Sequence, residues 1–349
     1  MTVEKIFWDK ALSGEDIFLY VIGNQNGMRV EISNFGATIV GLYVPDKNGT
    51  IENVVMGYDK LSDYYKNWHG IGCSVGPNAN RIANATFSLD GKEYKLEAGS
   101  DGHNLHSHSS LSYQKRVWLV EKCSDNEISF FCECAEGEMG FPGNKANRIT
   151  FTVTDDNVLK IHYYVTTDKK TIINMTNHSY FNLSGNLSSS VKKHELWLDC
   201  PHYTPIDGHG IPTGEIKSVK DTVMDFTVPK KLEVGLDRNC SELKATGGYD
   251  HNFCVRDWDG KLKKIAGLYE EKSGRGMEVY TDLPGIQIYT GNYLGVCKGR
   301  HKKIYRTHGA ICMETQYFPN HINEENFVSA VFDKEKPYDS TTIYKFFVK

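Results

Sequence analysis

ITFTVTDDNVLKIHYYV, residues 149–165, places Ile149, Phe151 and Val153 at alternate positions, breaks at Asp155-Asp156-Asn157, and resumes at Leu159, Ile161, Tyr163 and Val165. A period of two belongs to a strand with one buried face, so the stretch predicts strand, turn, strand. Upstream, Phe87-Ser88-Leu89 and Glu93-Tyr94-Lys95-Leu96 flank Asp90-Gly91, whose residue types supply the positive φ angles of a two-residue hairpin turn. Helical periodicity is confined to a turn or two at residues 59–66 and 323–327. The chain's 32 glycines and 20 tyrosines suit turns and strands, so the expected class is all-β: a large antiparallel β-sandwich with few short helices. No low-complexity linker, fixed-period repeat or composition break divides it, which makes residues 1–349 a single expected domain.

Composition narrows the functional classes. With 349 residues, 40% apolar and 24% charged, the chain has the make-up of a soluble globular protein. A net charge of -4 offers no field for nucleic acid, and no apolar run reaches the roughly 18 residues that span a bilayer. The start, MTVEKIFWDK, lacks the apolar core of a secretion signal, so the expected location is cytoplasmic. Nine cysteines without a CxxC pair read as reduced thiols, several of them in the core. Two glycosylation triplets, Asn177-His178-Ser179 and Asn182-Leu183-Ser184, read as chance matches in such a protein.

The stretch TNHSYFNLSG, residues 176–185, sets His178 among Asn177, Tyr180 and Asn182. Amides for hydroxyls and flat rings for C–H faces are what a neutral sugar needs. Asn177 and Tyr180 could fix the imidazole tautomer, and a buried histidine bonded to backbone is the alternative. In AICMETQYFPN, residues 310–320, strand alternation sends Cys312, Glu314 and Gln316 to one face and Ile311, Met313 and Thr315 to the other. A carboxylate in so apolar a strand faces solvent or a lined cavity. Partly desolvated, it acquires the raised pKa of a general base.

Weaker signals accompany these two. Asn80-Arg81 in GPNANRIANATF offers a forked donor or merely a surface charge. Asp250 in GGYDHNF is a candidate ligand or a turn former. Gln287, Tyr289, Asn292 and Tyr293 in LPGIQIYTGNYL suit a polyol. His103, His106 and His108 in GHNLHSHSS raise zinc, but no neighbouring cysteine or carboxylate completes a ligand set, and no metal or organic cofactor is expected. GIGCSVG, residues 70–76, is one residue too long for a dinucleotide loop, and no GxSxG elbow occurs.

NHSYFNL, ETQ with Phe318-Pro319-Asn320, LPGIQIYTGN, GYDHNF and the hairpin ATFSLDGKEYKLE together resemble the aldose 1-epimerase, or galactose mutarotase, family over nearly the whole length. The resemblance implies the galactose mutarotase-like supersandwich and anomer interconversion on free aldohexoses such as galactose and glucose. It implies His178 as proton donor and Glu314 as acceptor, with Asn80, Arg81, His106, Tyr180, Asp250 and Gln287 around the sugar. The expected partner is a small aldose, with neither nucleic acid nor membrane, in a monomer or homodimer. One departure stands out: the family commonly has two glycines after Leu105-His106, where this chain has Ser107-His108. A hexose 6-phosphate epimerase, a non-catalytic carbohydrate-binding module and a glycosidase using Glu314 and Asp250 remain alternatives.

Overall fold

A computed structural model describes residues 3–237 and 240–349. The stretch at 149–165 forms the paired strands Lys145–Val153 and Val158–Thr167, with Val153 opposite Leu159 and the bend made by Asn157 at φ 59°. Their inward residues Ile149, Phe151, Val153, Leu159, Ile161, Tyr163 and Val165 are all buried, as the alternation requires. The second hairpin joins Thr86–Leu89 to Lys92–Lys95 through Asp90 and Gly91, both at positive φ.

These strands belong to a nine-stranded antiparallel sheet. The C-terminal strand Tyr338–Val348 runs through it, paired with Val158–Thr167 on one side and Arg275–Thr281 on the other. A six-stranded sheet packs against it, in the order Tyr180–Phe181, Ile311–Gln316, Gly285–Tyr289, Asp250–Cys254, His202–Tyr203, Lys217–Ser218. A five-stranded sheet covers residues 4–53. Contacts between the two larger sheets are apolar with polar pins: Phe181 meets Tyr344 at 5.0 Å between ring centres, and the Tyr344 hydroxyl donates to the Met313 carbonyl at 3.0 Å. One buried apolar cluster runs from Tyr20 to Phe346 and takes residues from all three sheets.

Helix is scarce among the described residues: Leu61–Tyr65, Glu233–Leu236 and Ser241–Lys244 are the α-helices. The expected turn of helix at 323–327 is absent. A single 3₁₀ turn, His321–Asn323, stands just before it, because Asn320 at φ 59° starts the turn and Glu324 is extended. All nine cysteines are free, with Cys73, Cys132, Cys134, Cys254 and Cys312 buried. The glycosylation triplets are closed to a glycan: Asn177 and Asn182 are buried, their amides donating to the carbonyls of Gly72 and Gly309.

Candidate active site

The central strand Ile311–Gln316 divides two environments. Ile311 and Met313 enter the core and Thr315 bonds Thr342 of the opposing sheet. Cys312, Glu314 and Gln316 face the other way, as the alternation predicts. On this side a cavity of about 180 Å³ is lined by Asn80, Arg81, His106, His178, Tyr180, Asp250, Gln287 and Glu314, with Trp68, His69, Gly70, Leu105, Gln114, Tyr289 and Tyr293. The eight residues that the family resemblance placed around the sugar therefore meet at one place.

His178 sits where the chain leaves one strand pair for another. Thr176–Asn177 pairs with Ser74–Val75, and Tyr180–Phe181 with Cys312 and Ile311. The backbone between is pinned on both sides: His178 N–H donates to the Cys73 carbonyl, and Gly72 N–H to the His178 carbonyl, each at 2.9 Å. Gly70, at φ 63°, lies against the ring; a Cβ there would come within 3.4 Å of its Cδ2. Tyr180 stacks on the imidazole at 5.0 Å and 14°, its hydroxyl held by the His69 carbonyl. Tyr289 and His106 close the edges. Nδ1 meets the Cys312 thiol at 3.4 Å, and Nε2 lies 3.8 Å from Glu314 Oε1. Asn177 does not set the tautomer as expected from its position next door. Its amide donates to Gly72 and its oxygen accepts from Ser179, because the strand turns it away from the ring.

Opposite the pair stand the hydroxyl-binding candidates. Asn80 adopts φ 63°, which lets its N–H reach His106 Nδ1 at 3.2 Å while His106 N–H returns to the Asn80 carbonyl. With Nδ1 accepting, His106 carries its proton on Nε2. Arg81 Nε is buried without a partner among the described residues, a donor awaiting an acceptor. Gln287 Nε2 donates to Asp250 Oδ1 at 2.7 Å, and its oxygen accepts from Gln316, which also bonds Asn252. This chain of amides fixes which atom Gln287 presents.

Burial controls the charges. Desolvation, with the nearby negative charge of Asp250 second, raises the Glu314 pKa well above its ordinary value. Desolvation lowers His178 to about 4, and the neighbouring His69 adds to it. His106 is pushed well below its usual range by burial, His178 and Arg81. Burial also raises Asp250, against the pull of Arg81 and the Gln287 bond. Burial thus works against both charged forms, the His178 imidazolium and the Glu314 carboxylate.

Across 92% of its length the chain is 38% identical to 92% of the galactose mutarotase of Bos taurus, and a family model described as aldose 1-epimerase matches residues 19–345. The chain belongs to the aldose 1-epimerase family. Aldose 1-epimerase of Haemophilus influenzae is 37% identical over 91% of this chain and 92% of its own. Among solved structures, a GalM/aldose epimerase homologue from C. elegans superposes with a TM-score of 0.87 at 28% identity, covering 99% of both chains. A galactose 1-epimerase from Lactobacillus acidophilus shares the fold, with a TM-score of 0.85 at 22% identity over 99% of this chain and 98% of that one.

At Ser107 the structure also accounts for the departure from the family pattern. His106 and Ser107 both have positive φ, 55° and 73°, a conformation glycine adopts freely. Ser107 is held in it by its hydroxyl, which bonds both the N–H and the carbonyl of Asn78 at 2.9 Å. The three histidines of this loop do not converge. His106 enters the cavity, His103 accepts from the Asn84 N–H, and His108 accepts from the backbone of Ser110 and Leu111. Asn292 likewise turns inward to the Tyr249 carbonyl rather than lining the cavity. Trp68, His69 and Gln114 line it without a sequence signal, since they arrive from loops whose composition is not distinctive.

Proposed function

We propose that the chain interconverts the α and β anomers of free aldohexoses, with His178 and Glu314 exchanging protons with the ring oxygen and the C1 hydroxyl. As a member of its family the chain is an isomerase acting on an aldose. The observation that carries the residue roles is the 3.8 Å approach of His178 Nε2 to Glu314 Oε1 in one buried, sugar-sized cavity.

The reaction needs one proton removed from O1 and one delivered to O5. The C1–O5 bond then breaks, the aldehyde turns, and closure exposes the other face. Glu314 as carboxylate takes the first proton and His178 as imidazolium gives the second, each contributing about 10²- to 10⁴-fold. After opening, Glu314 is protonated and His178 neutral, the distribution that burial favours. Closure runs the exchange backwards and resets the pair. Starting it requires moving one proton from Glu314 to His178. The resulting ion pair at 3.8 Å gains about 4 kcal/mol at an effective dielectric of about 20. Lowering His178 from 6.5 to about 4 corresponds to about 3 kcal/mol, so the pair's attraction matches the imidazole's desolvation. Hydroxyls of the bound sugar supply the further solvation that Glu314 lacks when the cavity is empty.

Arg81 and His106 Nε2–H would steady charge on the sugar oxygens, and Asp250 with Gln287 would hold hydroxyls on the opposite edge. Among the described residues Arg81 is the sole Lys or Arg lining the cavity, which disfavours a phosphorylated hexose. An imidazole and a carboxyl group brought together in one buried cavity favour turnover over mere binding. Polarimetry of fresh α-D-galactose and α-D-glucose tests the reading: the protein should speed the decay of rotation to an unchanged endpoint. Decay at the buffer rate for both sugars would overturn it.

A further inference from the structure

Among the described residues, the side chain that meets His178 Nδ1 is Cys312, whose thiol lies 3.4 Å away. We infer that Cys312 is a positioning residue: its thiol anchors Nδ1 in both protonation states of His178, so that Nε2 keeps facing the sugar throughout turnover.

Three observations support this. Cys312 is fully buried, and its place on the strand is registered against both Tyr180 and Tyr289, the two rings that clamp the imidazole. It lies two residues from Glu314 on the same strand face, so one rigid element carries the base and the anchor of the acid. Besides Glu314 at Nε2 and the residue's own backbone, the ring touches flat faces, edges and a glycine: Tyr180 below, Tyr289 and His106 at the sides, Gly70 above. These confine the ring plane but exert little directional pull at Nδ1.

The chemistry suits a thiol. Catalysis takes His178 between imidazolium, with N–H at both nitrogens, and neutral imidazole, with N–H at one. Because the proton leaves and returns at Nε2, Nδ1 keeps its N–H in both states, and an anchor must accept from it in both. A thiol sulfur accepts only weakly, and burial keeps it protonated and uncharged, holding its pKa well above the ordinary value. A carboxylate in its place would bind the imidazolium tightly and oppose the proton's return. The thiol holds the ring without biasing the exchange strongly.

The inference rests on the proposed role of His178, and two readouts separate its failure from that of the role. The first is kinetic, on the full-length protein. Cys312→Ala and Cys312→Val should lower kcat about tenfold, the size of one buried hydrogen bond, with KM within about twofold. Cys312→Ser, which keeps a group that donates and accepts, should recover most of the loss. The second is the ¹⁵N resonance of His178 Nδ1 in labelled protein, which should move in the Val variant and far less in the Ser variant. It reports on the anchor even if no mutarotation is found. Val and Ala variants with wild-type kcat, equal losses in Ser and Val, or an Nδ1 resonance unmoved in Val would each overturn the assignment.

Discussion

In the empty enzyme at pH 6, His178 should be neutral. Its pKa is depressed to about 4 by burial, so the imidazolium fraction at pH 6 is about 1%, against roughly three-quarters for an unperturbed ring of pKa about 6.5. The sign follows from which form loses solvation: burial penalises the charged ring, so acid is needed to protonate it, whereas burial keeps the proton on Glu314 to higher pH than usual. The pair accordingly holds two protons below about pH 4, one over an intermediate window, and none above the raised pKa of Glu314. Activity requires the singly protonated pair, so kcat/KM should follow a bell. Its acid limb, near pH 4, belongs to His178 and its alkaline limb to Glu314, the reverse of what ordinary pKa values would assign, and both limbs are macroscopic properties of the pair. Titration of the labelled His178 ring by NMR, alongside polarimetric rates from pH 4 to 9, measures both halves. An imidazolium signal persisting at pH 6 in the empty enzyme, or a rate flat across that range, would refute the reasoning.

Glu314→Gln should be inactive yet more stable at pH 8, by about 1–3 kcal/mol, because it removes a carboxylate that burial disfavours. A carboxyl with a raised folded pKa stabilises the fold below its unfolded pKa and loses that contribution as pH rises through the folded one. The gain should therefore vanish near pH 4, and an unchanged melting temperature at pH 8 would contradict it. Acid should destabilise the wild-type protein between about pH 6.5 and 4, since His106, His178, His194, His251 and His321 are all buried with lowered pKa values and the unfolded chain binds protons first. Denaturant melts at pH 7 and 5 check this, and equal stability at both would contradict it. Arg81→Ala should raise KM by roughly 10- to 100-fold, the range for a lost charged hydrogen bond, with a smaller change in kcat. Steady-state rates measure the split, and an unaltered KM would remove Arg81 from sugar binding.

Much of the fold was legible because strands write their burial locally. The alternation at 149–165 and the Asp90-Gly91 turn each match the structure residue by residue. Glu314 was legible for the same reason: a carboxylate inside an apolar strand has few places to go. Contacts between distant segments left no such trace. Cys312 was legible as sharing the face of Glu314, but not that its thiol meets a ring 134 positions earlier, and Trp68 stands 87% exposed at the cavity rim without any periodic signal. Asn177 seemed placed to orient its neighbour, but adjacent residues on a strand point to opposite faces. The helical turn expected at 323–327 failed because Asn320 starts a turn earlier in the chain.

The account stands on His178 and Glu314 acting as one unit on a single C1–O5 group. Polarimetric kcat for His178→Asn, Glu314→Gln and the double variant tests that most directly. Groups that exchange protons in one step should give a double variant scarcely slower than either single one. Losses that multiply, or a single variant that keeps wild-type turnover, would contradict it.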